Sequence, residues 1–279
     1  MEEIIENLNE VLNALSIDTE TKQCKHPAFI DKACTWCKKT KDECDNPNTI
    51  QLRYLDPDFS VTEQVITRLR DLDFDTLVKQ KKLRLVLDLD NTLIHASNVE
   101  QTLDKEEDDV YEILWGMYLI KLRPGTIDFL EKASTMFDIS IYTMAQKIYA
   151  KAVVKLLESK MSDENFRFSR VVCQGQYTKS DRKGLDIELS HERVVLIVDD
   201  CQEVWGDEYK ANLIKIKPYV FFNHKCPLEN NNDEDEELAR VLDVLKTVHN
   251  VFYDENKEID YVSKDVREVL QNIQHRFDD

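Results

Sequence analysis

Nowhere in the 279 residues does an apolar run approach the ~20 residues that a membrane-spanning helix needs, so no membrane partner is expected. Glycine and proline are scarce, at 5 and 6, which excludes collagen-like and low-complexity architectures. Positive charge is also short. Lys and Arg number 37 against 55 Asp and Glu, for a formal net charge of −18. A generic nucleic-acid surface needs clustered Lys and Arg, so direct nucleic-acid binding is excluded and any anionic substrate must be captured by local positive groups. The opening MEEIIENLNEVL lacks the basic and apolar stretches of a secretory signal. The seven cysteines are odd in number and scattered from Cys24 to Cys226, which fits a reduced intracellular compartment better than a disulfide framework.

The remaining sequence reads as globular, with 42% hydrophobic residues. Residues 1–16 carry Ile4, Ile5, Leu8, Val11, Leu12 and Leu15 at helical spacing. Cys, His, Lys and Asp crowd residues 22–48. SVTE at 60–63 predicts a capping box, Ser60 with Glu63, for a helix ending near Leu72, with a second short helix over Phe74–Lys79. LRLVLDLD from Leu83, DISIYT at 138–143 and VVLIVDD at 194–200 are near-continuous apolar runs, as expected of strands buried on both faces. Helical patterns over Thr126–Met136 and Ala145–Ser159 lie between them. The alternation predicts a doubly wound parallel α/β sheet. NLIKIKPYVFF at 212–222 predicts a further strand, and residues 95–118 a hairpin or small subsheet inserted after the first strand. Tyr111, Trp115 and Tyr118 of that insertion, the buried-looking Trp205 and the face from Leu238 to Phe252 are read as packing residues, and His95 as a hydrogen-bonded structural residue. The polar loop ENNNDEDEE at 229–237 is read as solvated, and a last helix spans Tyr261–His275. The organisation expected is an N-terminal helix with a Cys/His segment (1–50), a catalytic domain (51–225) and a C-terminal helical extension (226–279).

Ligands of open α/β sheets bind beyond the carboxyl ends of the strands. There the sequence places Asp88 and Asp90, then Thr143, then Asp199 and Asp200. Residues two apart on a strand point to one side, and two carboxylates held that close repel unless a cation relieves them. A hard divalent ion with oxygen ligands, such as Mg²⁺, meets that need, and Asp200 from another strand supplies a further ligand. TKSDRKGL between the two later strands offers two lysines, Lys179 and Lys183.

The ordered set resembles the haloacid dehalogenase superfamily: DxDx[TV], an apolar strand ending in Ser or Thr, a Lys, then paired acids. The resemblance implies a role for each residue. Asp88 is the nucleophile that forms an aspartyl phosphate, and Asp90 is the acid for the leaving oxygen and then the base for water. Thr143 and Lys183, rather than Lys179, hold phosphoryl oxygens. Mg²⁺ is bound by Asp88, the Asp90 carbonyl and Asp200, while Asp199 orients Lys183 and Thr92 fixes the loop. The blocks KKLRLVLDLDNTLIH, IKLRPGTIDFLEKA, ISIYTMAQKIYA, VVLIVDDCQEVW and NLIKIKPYVFF narrow the likeness to phosphatases of the RNA polymerase II C-terminal domain, of the transcription-factor-IIF-associating type. This implies nuclear phosphoserine heptads as substrate, general transcription factors as further partners, and a peptide groove beside residues 95–118. Two departures stand out. Cys201 occupies a position where the family often has Arg, and DVREVLQNI, which precedes a BRCT domain in larger members, is followed by no such domain in these 279 residues.

Cys24, His26, Cys34 and Cys37 have the spacing C-x-H-x7-C-x2-C, with Cys44 following. They read either as tetrahedral Zn²⁺ ligands or as reduced thiols packing a small loop. Two other functions compete with protein dephosphorylation. A small-molecule phosphatase of the same fold would need a cap larger than residues 95–118. A silent interaction module would have no use for Asp88, Asp90 and Asp200.

Overall fold

The computed structural model describes residues 2–18, 20–45, 47–98, 109–176, 182–222, 235–254 and 261–277. Lys179, Cys226 and most of the 229–237 loop lie outside the described residues.

Helix α1 (Glu2–Leu15) precedes four short strands: β1 (Ala28–Ile30), β2 (Ala33–Cys34), β3 (Thr49–Gln51) and β4 (Phe59–Thr62). They form an antiparallel sheet in the order β2-β1-β4-β3, in which β4 pairs with both β1 and β3. Helix α2 (Glu63–Gln80) follows β4 without a break. The two helices expected over 60–79 are thus one, and Asp71 and Asp73 lie on a continuous α2 rather than at a boundary. The predicted capping box is not formed either. Ser60 is a buried strand residue and Thr62 is the N-cap, with no side-chain cap bond. Lys81, at a left-handed φ of 51°, ends α2 and turns the chain into the central sheet.

That sheet contains β5 (Leu83–Leu87), and is followed by β6 (Ile94–Asn98), β7 (Val110–Ile113) and β8 (Tyr118–Leu122), a separate antiparallel sheet in the order β6-β8-β7. The chain then runs α3 (Thr126–Ser134), β9 (Phe137–Tyr142), α4 (Lys147–Lys160), β10 (Arg170–Val172), β11 (Val195–Asp199), β12 (Leu213–Lys215), α5 (Glu237–Phe252) and α6 (Val266–Phe277). The central sheet is parallel throughout, in the order β10-β9-β5-β11-β12. Among the described residues, the strand expected over 212–222 is paired only at 213–215.

Alternation along the strands divides the core in two. Leu85 and Leu87 of β5, Ile139 and Ile141 of β9, and Leu196 and Val198 of β11 face one side, against α3, α4 and α5. Val86, Tyr142, Val195 and Ile197 face the other, against α2, α1 and the N-terminal sheet. Burying each large aliphatic side chain contributes about 1.5–3 kcal/mol, so covering both faces explains why these strands read as unbroken apolar runs. No helix among the described residues is long and apolar enough to cross a membrane.

The packing expectation for the insertion holds for two of its three aromatics. Tyr118 meets Tyr149 edge-on at 5.1 Å, and Tyr111 lies under the Lys160 ammonium at 4.1 Å. Trp115 departs from it: the residue is 96% exposed at a left-handed φ of 56°, in the β7–β8 turn. A turn residue beyond the last strand pair has no facing side chain to pack against.

Candidate active site

β5, β9 and β11 lie side by side in the sheet, so their carboxyl ends open onto one edge. The β5–β11 pairing continues one residue past the strand, with the Asp88 amide donating to the Val198 carbonyl at 3.0 Å. This fixes Asp88 beside Asp199 and Asp200. Carboxylate oxygens of Asp88, Asp199 and Asp200 lie within 4.8 Å of one another.

Lys183 occupies the centre of this arrangement. Its ammonium donates to Asp88 Oδ1 at 2.6 Å and to Asp199 Oδ2 at 2.7 Å, and the side chain is almost wholly buried. Its backbone is fixed as well, the Lys183 amide donating to the Val204 carbonyl at 2.7 Å. The ring centroids of Trp205 and Tyr142 lie 5.5 and 5.8 Å from the ammonium. Burial opposes its charge, but Asp88 and Asp199 overcome that and hold the ammonium above its usual range. Burial pushes the Asp88 carboxyl up to about 7; Lys183 pulls it down, while Asp199 and Asp90 add to the rise.

Both Asp199 oxygens are committed to the protein. Oδ1 accepts from the Cys201 amide at 2.8 Å, and Oδ2 accepts from Lys183 and from Trp205 Nε1 at 2.9 Å. Asp200 is half-buried and accepts from the Thr92 hydroxyl at 3.4 Å. Its carboxyl is raised by burial and then by the neighbouring charge of Asp199. Three acids at one edge against one lysine leave net negative charge, and their oxygens are hard donors. The group therefore suits a divalent cation such as Mg²⁺, with Asp88 and Asp200 as the less committed carboxylates.

Asp90 Oδ1 accepts the Tyr149 hydroxyl at 2.5 Å, and burial raises its carboxyl against the lowering effect of that bond. Thr143 follows β9 directly and is buried; its amide donates to the Val172 carbonyl at 2.9 Å and its hydroxyl accepts from the Ala145 amide at 3.1 Å. Asp88, Lys183, Asp199 and Asp200 are thus in direct contact or adjacent, Asp90 lies one turn along, and Thr143 stands at the neighbouring strand end.

Four supports of the site were not anticipated as such. Tyr149 of α4 holds Asp90. Trp205, read as core, is buried and also donates to Asp199. Arg123 has its guanidinium buried: Nη1 donates to the carbonyls of Thr92 at 3.1 Å and Asn91 at 3.5 Å, and Nε and Nη2 grip Asp235, the latter at 2.9 Å. It thereby pins the turn after Asp90, where Asn91 takes a left-handed φ of 62°. Tyr219 donates its amide to the Asn91 carbonyl at 2.7 Å, and His95 Nδ1 accepts the amides of Phe221 and Phe222 at 3.2 and 3.0 Å. Residues 219–222 are therefore a strap over the turn after Asp90, the amides of Tyr219, Phe221 and Phe222 being spent on turn and imidazole, while the Ile216 amide still donates to the Asp199 carbonyl at 3.2 Å. The RPG turn that carries Arg123 was the available sequence signal.

The family model for NLI interacting factor-like phosphatases matches residues 83–256. Over 280 aligned residues the chain is 33% identical to RNA polymerase II C-terminal domain phosphatase-like 4 of Arabidopsis thaliana, spanning 90% of this chain and 62% of that one. It is 27% identical to an RNA polymerase II C-terminal domain phosphatase of Caenorhabditis elegans, over 95% of this chain and 44% of the relative. The chain thus spans less than two thirds of the length of both. The structure of Fcp1, an essential RNA polymerase II CTD phosphatase, aligns with a TM-score of 0.63 at 25% identity, over 75% of this chain and 74% of the other. That of the fission yeast enzyme bound to beryllium fluoride aligns with a TM-score of 0.58 at 25% identity, over 72% of this chain and 73% of the other. Together with the parallel central sheet and its flanking helices, the likeness fits the haloacid dehalogenase type of doubly wound fold.

Proposed function

Because the chain belongs to the NLI interacting factor-like phosphatase family, we propose that it removes phosphate from serine in the heptad repeats of the RNA polymerase II C-terminal domain, working in the nucleus through a phospho-Asp88 intermediate with Mg²⁺. The observation that carries this reading is the contact of Lys183 with both Asp88 and Asp199, beside Asp200, at adjoining strand ends.

Asp88 attacks phosphorus in line through the carboxylate oxygen that Lys183 leaves uncovered, and the serine oxygen departs as the phosphorus–oxygen bond breaks. Asp90 gives that oxygen its proton and then takes one from the water that opens the aspartyl phosphate. Tyr149 holds the Asp90 carboxyl in place for both transfers. Lys183 and Thr143 meet the phosphoryl oxygens, where a fixed positive charge in a site excluded from water counts for most. Asp199 keeps Lys183 aimed, being itself held by Trp205 and the Cys201 amide. Asp88, the Asp90 carbonyl and Asp200 would hold Mg²⁺, which supplies charge neutralisation at the phosphoryl group when bound.

A macromolecular substrate suits a chain whose insertion after β5 is, among the described residues, the small β6-β8-β7 sheet rather than a large cap. Beryllium fluoride, a mimic of a phosphoryl group, is bound by the fission yeast relative. General transcription factors remain the expected further partners. The test is hydrolysis of singly phosphorylated heptad peptides, with and without Mg²⁺, by the unsubstituted chain and by Asp88→Asn. Release of phosphate that needs Mg²⁺ and falls by at least about 10³-fold in the variant supports the reading. Full activity in Asp88→Asn refutes the nucleophile, and activity confined to small phosphate esters refutes the peptide substrate.

A further inference from the structure

We propose that Cys24, His26, Cys34 and Cys37 bind one zinc ion, and that this ion staples the N-terminal sheet and α1 over the face of the central sheet behind Lys183. The site is separate from the phosphatase chemistry, and its test does not depend on catalysis.

Geometry comes first. One ligand atom from each residue lies within 4.8 Å of every other. Cys24 Sγ and Cys34 Sγ are 3.7 Å apart, and Cys37 Sγ and His26 Nδ1 are 3.2 Å apart. A zinc–sulfur distance of about 2.3 Å implies ligand separations of about 3.8 Å around a regular tetrahedron. A disulfide would bring two sulfurs to about 2.0 Å, and both thiols are free. Cys44, the remaining nearby thiol, is not part of the group.

The local backbone is shaped for convergence. His26 and Lys38 take left-handed φ values of 51° and 64°, which fold the chain back at each half of the set. The Cys34 amide donates to the Lys39 carbonyl at 2.8 Å, the Lys38 amide donates to the Cys34 carbonyl at 3.1 Å, and the His26 amide donates to Cys24 Sγ at 3.4 Å. Charge agrees. Three thiolates and one divalent ion carry a net −1, and residues 22–41 hold six lysines against one acid, Asp31, in a chain of net charge −18.

Need is the third element. β1 has 3 residues and β2 has 2, too few for a hairpin to persist on its own backbone bonds. Yet β1 pairs with β4, and β4 runs directly into α2. Val61 of β4, Val65 and Leu69 of α2, and Leu12 of α1 share one core with Val86 and Tyr142 of the central sheet. Anchoring the hairpin anchors that cover, since metal binding by a site that does not exist in the unfolded chain is folding free energy.

Metal content of the full chain, purified without chelator, tests this. The expected result is one zinc per chain, lost in Cys34→Ser and in Cys37→Ser and retained in Cys44→Ser. A zinc-selective chelator should lower the thermal midpoint by roughly 10 °C, with recovery on adding Zn²⁺. Should the variants prove insoluble, exchange of the unsubstituted protein with Co²⁺ decides: thiolate-to-cobalt absorption supports the site, and its absence overturns it. Folded protein without zinc, zinc retained in Cys34→Ser, or a Cys24–Cys34 disulfide found by mass spectrometry would each overturn it.

Discussion

The Tyr149 hydroxyl donates to Asp90 Oδ1 at 2.5 Å, tying α4 to the turn that ends β5. With Asp90 as the acid for the leaving oxygen, this bond holds one carboxyl oxygen and leaves the other to face the substrate. Tyr149→Phe is therefore expected to lower kcat on a phosphoserine peptide about tenfold, the equivalent of one good hydrogen bond. An aryl phosphate, whose leaving group needs little protonation, should lose less. Equal losses on both substrates would reduce Tyr149 to a packing role.

Lys183→Met removes the cation between two buried carboxylates. Hydrolysis should fall by about 10²–10³-fold. Stability should fall by about 3–5 kcal/mol, because Asp88 and Asp199 are left facing each other with no cation between them. Steady-state kinetics and urea unfolding read the two effects, and adding Asp199→Asn should recover part of the second but not the first.

Arg123 and Asp235 are a buried pair far from solvent on the arginine side, and Arg123 also holds the carbonyls of Asn91 and Thr92. Arg123→Met takes the guanidinium from the Thr92 carbonyl and leaves Asp235 without its cation, and should cost about 3–5 kcal/mol. Asp235→Asn keeps a hydrogen-bonding partner and should cost about 1–2 kcal/mol. Guanidinium denaturation followed by circular dichroism orders the two, and the reverse order would contradict the assignment.

His95 supplies a pH dependence. Burial holds its imidazole below the usual range, and Nδ1 must stay unprotonated to accept the amides of Phe221 and Phe222. Because the folded value lies below the unfolded one, the unfolded chain binds more protons between them. The stabilisation is present above the unfolded value and is lost as pH falls through the folded one. The wild type should exceed His95→Gln in unfolding free energy by about 1–2 kcal/mol at neutral pH. That margin should shrink by about pH 5. A margin that does not change with pH would mean that the imidazole does not titrate in this window.

The acids and Thr143 were legible because each sat at or just beyond the end of a strand buried on both faces, whereas Lys183 comes from the loop between β10 and β11 and was singled out only by the family resemblance. A run such as LRLVL can hardly be anything but a central strand, and the residues just beyond it must stand at the sheet's edge. The N-terminal sheet was illegible for the opposite reason. β1, β2 and β3 have 3, 2 and 3 residues, too short for a period of two to register, and Ser60 in β4 imitates a helix cap. Asp71 and Asp73 hid the continuity of α2, although Asp73 ties the helix to the sheet by pairing with Arg84 of β5. Residues 216–222 look like a strand in composition, and tertiary partners, Asn91 and His95, divert the amides of Tyr219, Phe221 and Phe222. Tyr149 was invisible as a support because an apolar helix face does not announce what its polar tip will reach, and the RPG turn marks the place of Arg123 without saying which carbonyls its guanidinium will hold.

The three tryptophans stand in very different surroundings: Trp36 in the Cys/His segment, Trp115 in the β7–β8 turn, and Trp205 sealed in the interior with its indole nitrogen on Asp199. The protein is accordingly its own optical instrument. With Trp36 and Trp115 replaced by Phe, emission from Trp205 would follow charge changes at the Lys183–Asp199 contact in real time and without a label.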